Sequence, residues 1–146
     1  MKTNQRLRVI LDTNAVLSST HIRSPYRIVL DALFDDQYDI FVTTDILLEY
    51  EEKLTTNFDR EVADLIVGAM SLLDNVKKID TFFQLQLIPN DPDDNKFVDT
   101  AFMSNAHFIV TNDRHFNVLK SLDFPKITVI KVEDFVEILK ENYSSV

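Results

Sequence analysis

Along the chain, short runs dense in Val, Ile, Leu and Phe alternate with longer stretches whose apolar residues recur at helical spacing. The short runs, at residues 7–11, 39–42, 76–79, 107–110 and 127–130, read as buried strands. The longer stretches predict six helices. Ser24-Pro25 offers an N-cap followed by Pro at the first helical position, opening a helix to about residue 34. Thr43 or Thr44 caps a second, to about Leu54, and residues 59–75 form a third. Asp91-Pro92 opens a fourth, to about Asn105. Asn112 or Asp113 caps a short fifth that ends near Leu122. The last covers residues 133–141, with Phe135, Val136 and Leu139 as its apolar stripe. Strands alternating with helices predict an α/β fold: a five-stranded parallel sheet with helices on both faces, three layers in all. In such sheets the ligand site lies outside the carboxyl ends of the strands.

Composition narrows the chemistry. The chain has 146 residues, the size of one domain, and 45% of them are apolar, including 11 Phe and 4 Tyr, enough to fill a core. Neither repeats nor a linker divide it. The apolar segment near the start is too short for a secretory signal and no run is long enough to cross a bilayer, so a cytoplasmic location is expected. Cysteine is absent, which excludes disulfides, thiolate catalysis, Cys-bound zinc and iron–sulfur clusters. His21, His107 and His115 lack the spacing of a zinc motif. The only glycine is Gly68, so neither a dinucleotide fingerprint nor a phosphate-cradling loop can be built. The net charge of −9 opposes tight, unselective nucleic-acid binding but leaves room for a local basic rim or a metal-mediated contact with phosphate.

Acids stand where the fold would put a site. Asp12 ends the first apolar run in "RVILDTNAVLSS", and Asp113 follows the fourth in "HFIVTNDRHF". Asp94 lies in the first turn of the helix opened by "NDPDDNKFVDTA", and Glu49 lies in "TDILLEYEEKL". Each has an ordinary alternative. Asp12 is equally well a turn residue, and Asp113 alone is better read as a helix cap. Asp91, Asp93 and Asp94 suit the positive end of a helix dipole without any further role. Asp94 resists that reading because it shares a helix face with Phe97, Val98 and Ala101, where a carboxylate is costly unless paired or bound to a cation. Asp99 falls off that stripe and should be solvated. Glu49 borders the stripe of Ile46, Leu47, Tyr50 and Leu54, and periodicity alone favours a solvated acidic face. Clustered carboxylates without His or Cys favour Mg²⁺ or Mn²⁺. A calcium EF-hand fails on "DPDDNKFVDTAF", which has Lys96 where glycine is required and Phe102 where the bidentate Glu belongs.

Four stretches in order, "ILDTNAVL", "TTDILLEYEEKL", "DDNKFVDTAF" and "FIVTNDRHF", resemble the motifs of the PIN-domain family of metal-dependent ribonucleases. The resemblance runs over about residues 7–132. It implies that Asp12, Glu49, Asp94 and Asp113 are the catalytic acids and hold Mg²⁺ or Mn²⁺, and it selects Glu49 over Glu51. It implies that Thr13 and Asn14 shape the turn after Asp12, with Asp93, Thr111 and Asn112 as candidates to hydrogen-bond around the ligands. The implied reaction is hydrolysis of RNA to 5′-phosphate and 3′-hydroxyl ends.

Among residues that topology places near this site, Lys96 and Arg114 are the favoured RNA contacts, ahead of Arg23, Arg27, Lys53 and His115. Phe116 reads better as core than as a base-stacking ring. Many similar proteins are VapC-like toxins of toxin–antitoxin pairs, which implies a small antitoxin partner and a homodimer. The stripe of Val62, Leu65, Ile66, Ala69 and Leu73 suits core packing and a partner groove equally. Two rivals stand beside this reading. One is a phospho-receiver-like signalling domain, for which Asp80 and Lys131 are suitably placed. The other is a PIN-like module that binds RNA or protein without cutting.

Overall fold

The structure, a computed structural model, describes residues 6–81, 84–88 and 92–143. Asp91, expected to help open a helix, lies outside the described residues. Five parallel strands form one sheet: β1 (Arg8–Leu11), β2 (Asp39–Val42), β3 (Val76–Lys78), β4 (Phe108–Val110) and β5 (Val129–Ile130). Their order is β3-β2-β1-β4-β5. Consecutive residues Val9, Ile10 and Leu11 are fully buried. Successive side chains of a strand point to opposite faces, so both faces of β1 are covered, as the expected three layers require.

This order disposes of the phospho-receiver alternative, whose sheet runs 2-1-3-4-5. Here the order reverses between β1 and β4, and the crevice beyond their carboxyl ends is the place for a ligand. The two strands are in register, Leu11 beside Val110, and the Asp12 N–H continues the ladder to the Val110 carbonyl at 3.1 Å. Asp12 and Thr111 therefore leave the sheet side by side.

The helices are α1 (Thr13–Thr20), α2 (Ile28–Phe34), α3 (Thr44–Asn57), α4 (Arg60–Leu72), α5 (Asn95–Ser104) and α6 (Val132–Asn142). Thr43 and Asp59 cap α3 and α4, each accepting from a backbone N–H three residues on. Helix α1 is not predicted by the apolar pattern. Its buried face is Thr13, Ala15, Val16, Ser19 and Thr20, mostly small and polar. Ser19 and Thr20 hide their hydroxyls by donating to the carbonyls of Ala15 and Val16.

Other boundaries shift for local reasons. Ser24 caps a turn, accepting from Tyr26 N–H at 3.0 Å, and α2 starts only at Ile28. Helix α4 stops at Leu72, because Asn75 is buried and donates to the carbonyls of Leu33 and Tyr38, at 2.8 Å each. Residues Pro92–Asp94 form a 3-10 turn before α5, and Arg114–Ser121 form a 3-10 helix rather than an α-helix. Asp99, expected to be solvated, is buried and accepts from Leu85 N–H at 3.0 Å, because the 84–88 segment lies over that side of α5. No helix among the described residues is long and apolar enough to cross a membrane.

The core has Val9, Ile10, Leu11, Ile40, Val42, Ile109 and Val110 at its centre, with Tyr50, Phe97, Phe116 and Phe135 from the surrounding elements. Phe135 meets Tyr38 edge to face, with ring centroids 5.1 Å apart. Phe116 is fully buried, so it is core and not a platform for a base. Tyr50 donates its hydroxyl to the Leu11 carbonyl and so ties α3 to the end of β1, one residue before Asp12.

Candidate functional site

Asp12 sits at the N-cap position of α1. It is 3% exposed and accepts from the Thr111 hydroxyl at 2.7 Å. Burial pushes its carboxyl up to about 6. Hydrogen bonds from Thr111 and from the Thr13 N–H oppose that rise, while the negative charges of Asp113 and Glu49 add to it. Asp12 thus feels two acids from elsewhere in the chain.

Thr111 links two of these acids. Its oxygen also accepts from Asp113 N–H at 3.0 Å, so one hydroxyl fixes both Asp12 and the backbone at Asp113. Asp113 does act as a cap: it accepts from His115 N–H at 2.9 Å. That bond turns the chain back, and His115 Nδ1 stands 3.4 Å from Asp113 Oδ1 and 3.6 Å from Asp94 Oδ2. Asp94 arrives from the 3-10 turn ahead of α5 and is buried. Asp94, Asp113 and His115 each offer a ligand atom, and the three atoms lie within 4.8 Å of one another.

Glu49 reaches the site from α3, and its surroundings differ from a solvated face. One carboxylate oxygen accepts from the Thr13 hydroxyl, and the other pairs with Lys96 Nζ at 2.7 Å. Lys96, expected to contact RNA, therefore has its ammonium against an acid of the site, 5.4 Å from the centre of the Phe97 ring. Arg114 is exposed at the rim, just after Asp113.

Asn112 serves a different purpose from the one expected. It accepts from Val132 N–H at 3.0 Å and donates to Glu133, fastening the end of β4 to the start of α6. Asn14 is exposed on the first turn of α1, and Asp93 is exposed one residue before Asp94. His115 is the residue that sequence reasoning left among the RNA contacts but that faces the acids. Its signal was position: two residues after a capping Asp, inside the turn which that cap closes.

The donors suit a divalent cation of the Mg²⁺ or Mn²⁺ type. Carboxylates dominate, one imidazole nitrogen is within reach, and the burial of Asp12 beside two further acids is a cost that a cation would relieve.

A family model described as PIN domain matches residues 8–115, a span that begins with β1 and ends at His115. The chain belongs to the PIN domain family. A matching solved structure is described as the crystal structure of VapBC2 from Rickettsia felis bound to a DNA fragment from their promoter. The match has a TM-score of 0.57 and 17% identity, covering 86% of this chain and 98% of that one. At that identity the likeness is one of fold. No curated protein sequence matches this chain.

Proposed function

We propose that this protein is a metal-dependent endoribonuclease and the toxin component of a type II toxin–antitoxin pair. The observation that carries the reading is the convergence of Asp94, Asp113 and His115 within 4.8 Å at the sheet's switch point, with buried Asp12 beside them. Membership of the PIN domain family, whose members are generally nucleases, supports it.

Asp12, Asp94 and Asp113 would hold Mg²⁺ or Mn²⁺, and Glu49, paired with Lys96, borders the pocket. Bound there, the ion would acidify a water and offset the charge that builds on the phosphate. The chain's own residues prepare the place. Thr111 holds Asp12 through one hydrogen bond and the turn at Asp113 through another. Tyr50 fixes the carbonyl that precedes Asp12. Attack of water on phosphorus breaks the bond to the 3′ oxygen, leaving 5′-phosphate and 3′-hydroxyl ends. Exposed Arg114 is the basic residue best placed to hold the RNA backbone near the acids.

The partner reading rests on an apolar groove of about 400 Å³ on another part of the molecule, lined by Thr20, Phe34, Phe58, Val62 and Leu65 among others. Of the predicted stripe on α4, Ile66 is buried, Val62, Ala69 and Leu73 are half-buried, and Leu65 is left 66% exposed in this groove. An apolar segment of an antitoxin would cover it, and a homodimer belongs to the same reading.

The test is cleavage of single-stranded RNA with Mg²⁺ or Mn²⁺, with and without EDTA, by the wild type and Asp113→Asn. Cleavage that needs the ion and is lost in Asp113→Asn is expected. Cleavage that persists in EDTA, or an Asp113→Asn protein that cuts as fast, overturns the proposal.

A further inference from the structure

We infer that Lys96 is the resident second cation of the acidic pocket, so that the pocket takes one divalent ion rather than two and Glu49 anchors Lys96 instead of ligating metal. The inference rests on the nuclease reading above and sharpens it. Four acids could be shared by a pair of ions, as in two-metal phosphoryl-transfer sites. The structure divides them unequally. Asp94 and Asp113 stand with His115 in one tight group. Glu49 has both of its oxygens engaged elsewhere, one by the Thr13 hydroxyl and one by Lys96 Nζ at 2.7 Å.

The Lys96–Glu49 pair is not a loose surface contact. The two side chains are 23% and 20% exposed, and the Phe97 ring lies 5.4 Å from the ammonium, a distance at which its face attracts a cation. Lys96 is also tied to Asp94 by the chain itself, in the first turn of α5. A second ion bridging Glu49 would have to displace an ammonium that is partly desolvated and covalently held in place. It would then leave that ammonium beside a divalent charge. Lys96 thus supplies, without metal, part of the compensation that a second ion would bring to the clustered carboxylates. Glu49 is a positioning residue on this view: it aims Lys96 at the pocket.

The experiment counts Mn²⁺ bound to the full chain by calorimetry and by electron paramagnetic resonance. The wild type should bind one equivalent. Lys96→Met frees Glu49 and should bind two, the second giving a spin-coupled signal, while Lys96→Arg keeps the charge and should bind one. Glu49→Gln, read in parallel in case Lys96→Met does not fold, should keep one equivalent with affinity changed less than about threefold. A tenfold or greater loss in Glu49→Gln is the effect of removing a ligand or its direct support and overturns the inference. So does a wild type that binds two ions, or a folded Lys96→Met that binds one. A wild type that binds no Mn²⁺ overturns the nuclease reading and this inference together.

Discussion

Replacing Asp12 by Asn should make the metal-free protein more stable. Asp12 is 3% exposed, and its carboxyl is raised from 3.8 to about 6. A carboxyl raised in the folded state favours its protonated form there, so the protein loses stability as pH climbs from the unfolded value through the folded one. Above both values the cost is constant; below 3.8 it vanishes. A shift of that size corresponds to about 3 kcal/mol at pH 7 and roughly half of that at pH 5. Asn carries no charge to desolvate, and its side-chain oxygen can still accept from Thr111 at the position where Asp12 does so now, at 2.7 Å.

In EDTA at pH 7, Asp12→Asn should therefore melt about 6–12 °C above the wild type, given about 2–4 °C per kcal/mol for a chain of this size. The gap should narrow by about half at pH 5. Saturating Mn²⁺ should close it from the other side, by stabilising the wild type through binding to the folded form alone. Thermal denaturation followed by circular dichroism reads all three conditions. A variant no more stable than the wild type at pH 7 in EDTA, or a gap that does not change with pH, would refute the assignment of Asp12 as a strained, buried anion.

Two further changes separate site from core. Thr111→Val keeps the shape but removes the donor to Asp12 and the acceptor for Asp113 N–H, so Mn²⁺ affinity measured by calorimetry should fall roughly 10–100-fold; an unchanged affinity would mean that Thr111 does not organise the acids. Phe116→Ala empties a fully buried site and should cost about 3–5 kcal/mol in urea unfolding; a loss under about 1 kcal/mol would contradict its placement in the core.

The centre of the sheet was legible in the sequence because β1, β2 and β4 are mostly buried, so that an apolar run such as 9–11 is continuous, whereas β3 and β5 at the edges, expected to be buried, are half-buried or exposed. Helix α1 was not legible, since Ser19 and Thr20 belong to its buried face and satisfy themselves on local carbonyls, a pattern that apolar periodicity does not register. Asp99 was misjudged for a related reason. Helical spacing places a residue relative to its own helix, and the burial of Asp99 comes from a separate segment that crosses over it at Leu85.

The acids at the strand ends were found from topology and from the family resemblance together. Topology alone left Asp12 and Asp113 as plausible caps, and Asp113 proves to be both a cap and a member of the acidic group. Charge pairing across the chain was invisible. Lys96 and Glu49 are 47 residues apart, and nothing in either local sequence announces that they meet. Asn112 was misassigned because its partners, Val132 and Glu133, lie 20 and 21 residues further on.

The most direct measurement is a crystal of the full chain soaked in Mn²⁺, with anomalous difference density calculated at the manganese edge. A peak coordinated by Asp94 and Asp113 is expected, with Asp12 close by and Lys96 still on Glu49. Density coordinated elsewhere, or none at millimolar Mn²⁺, would contradict it.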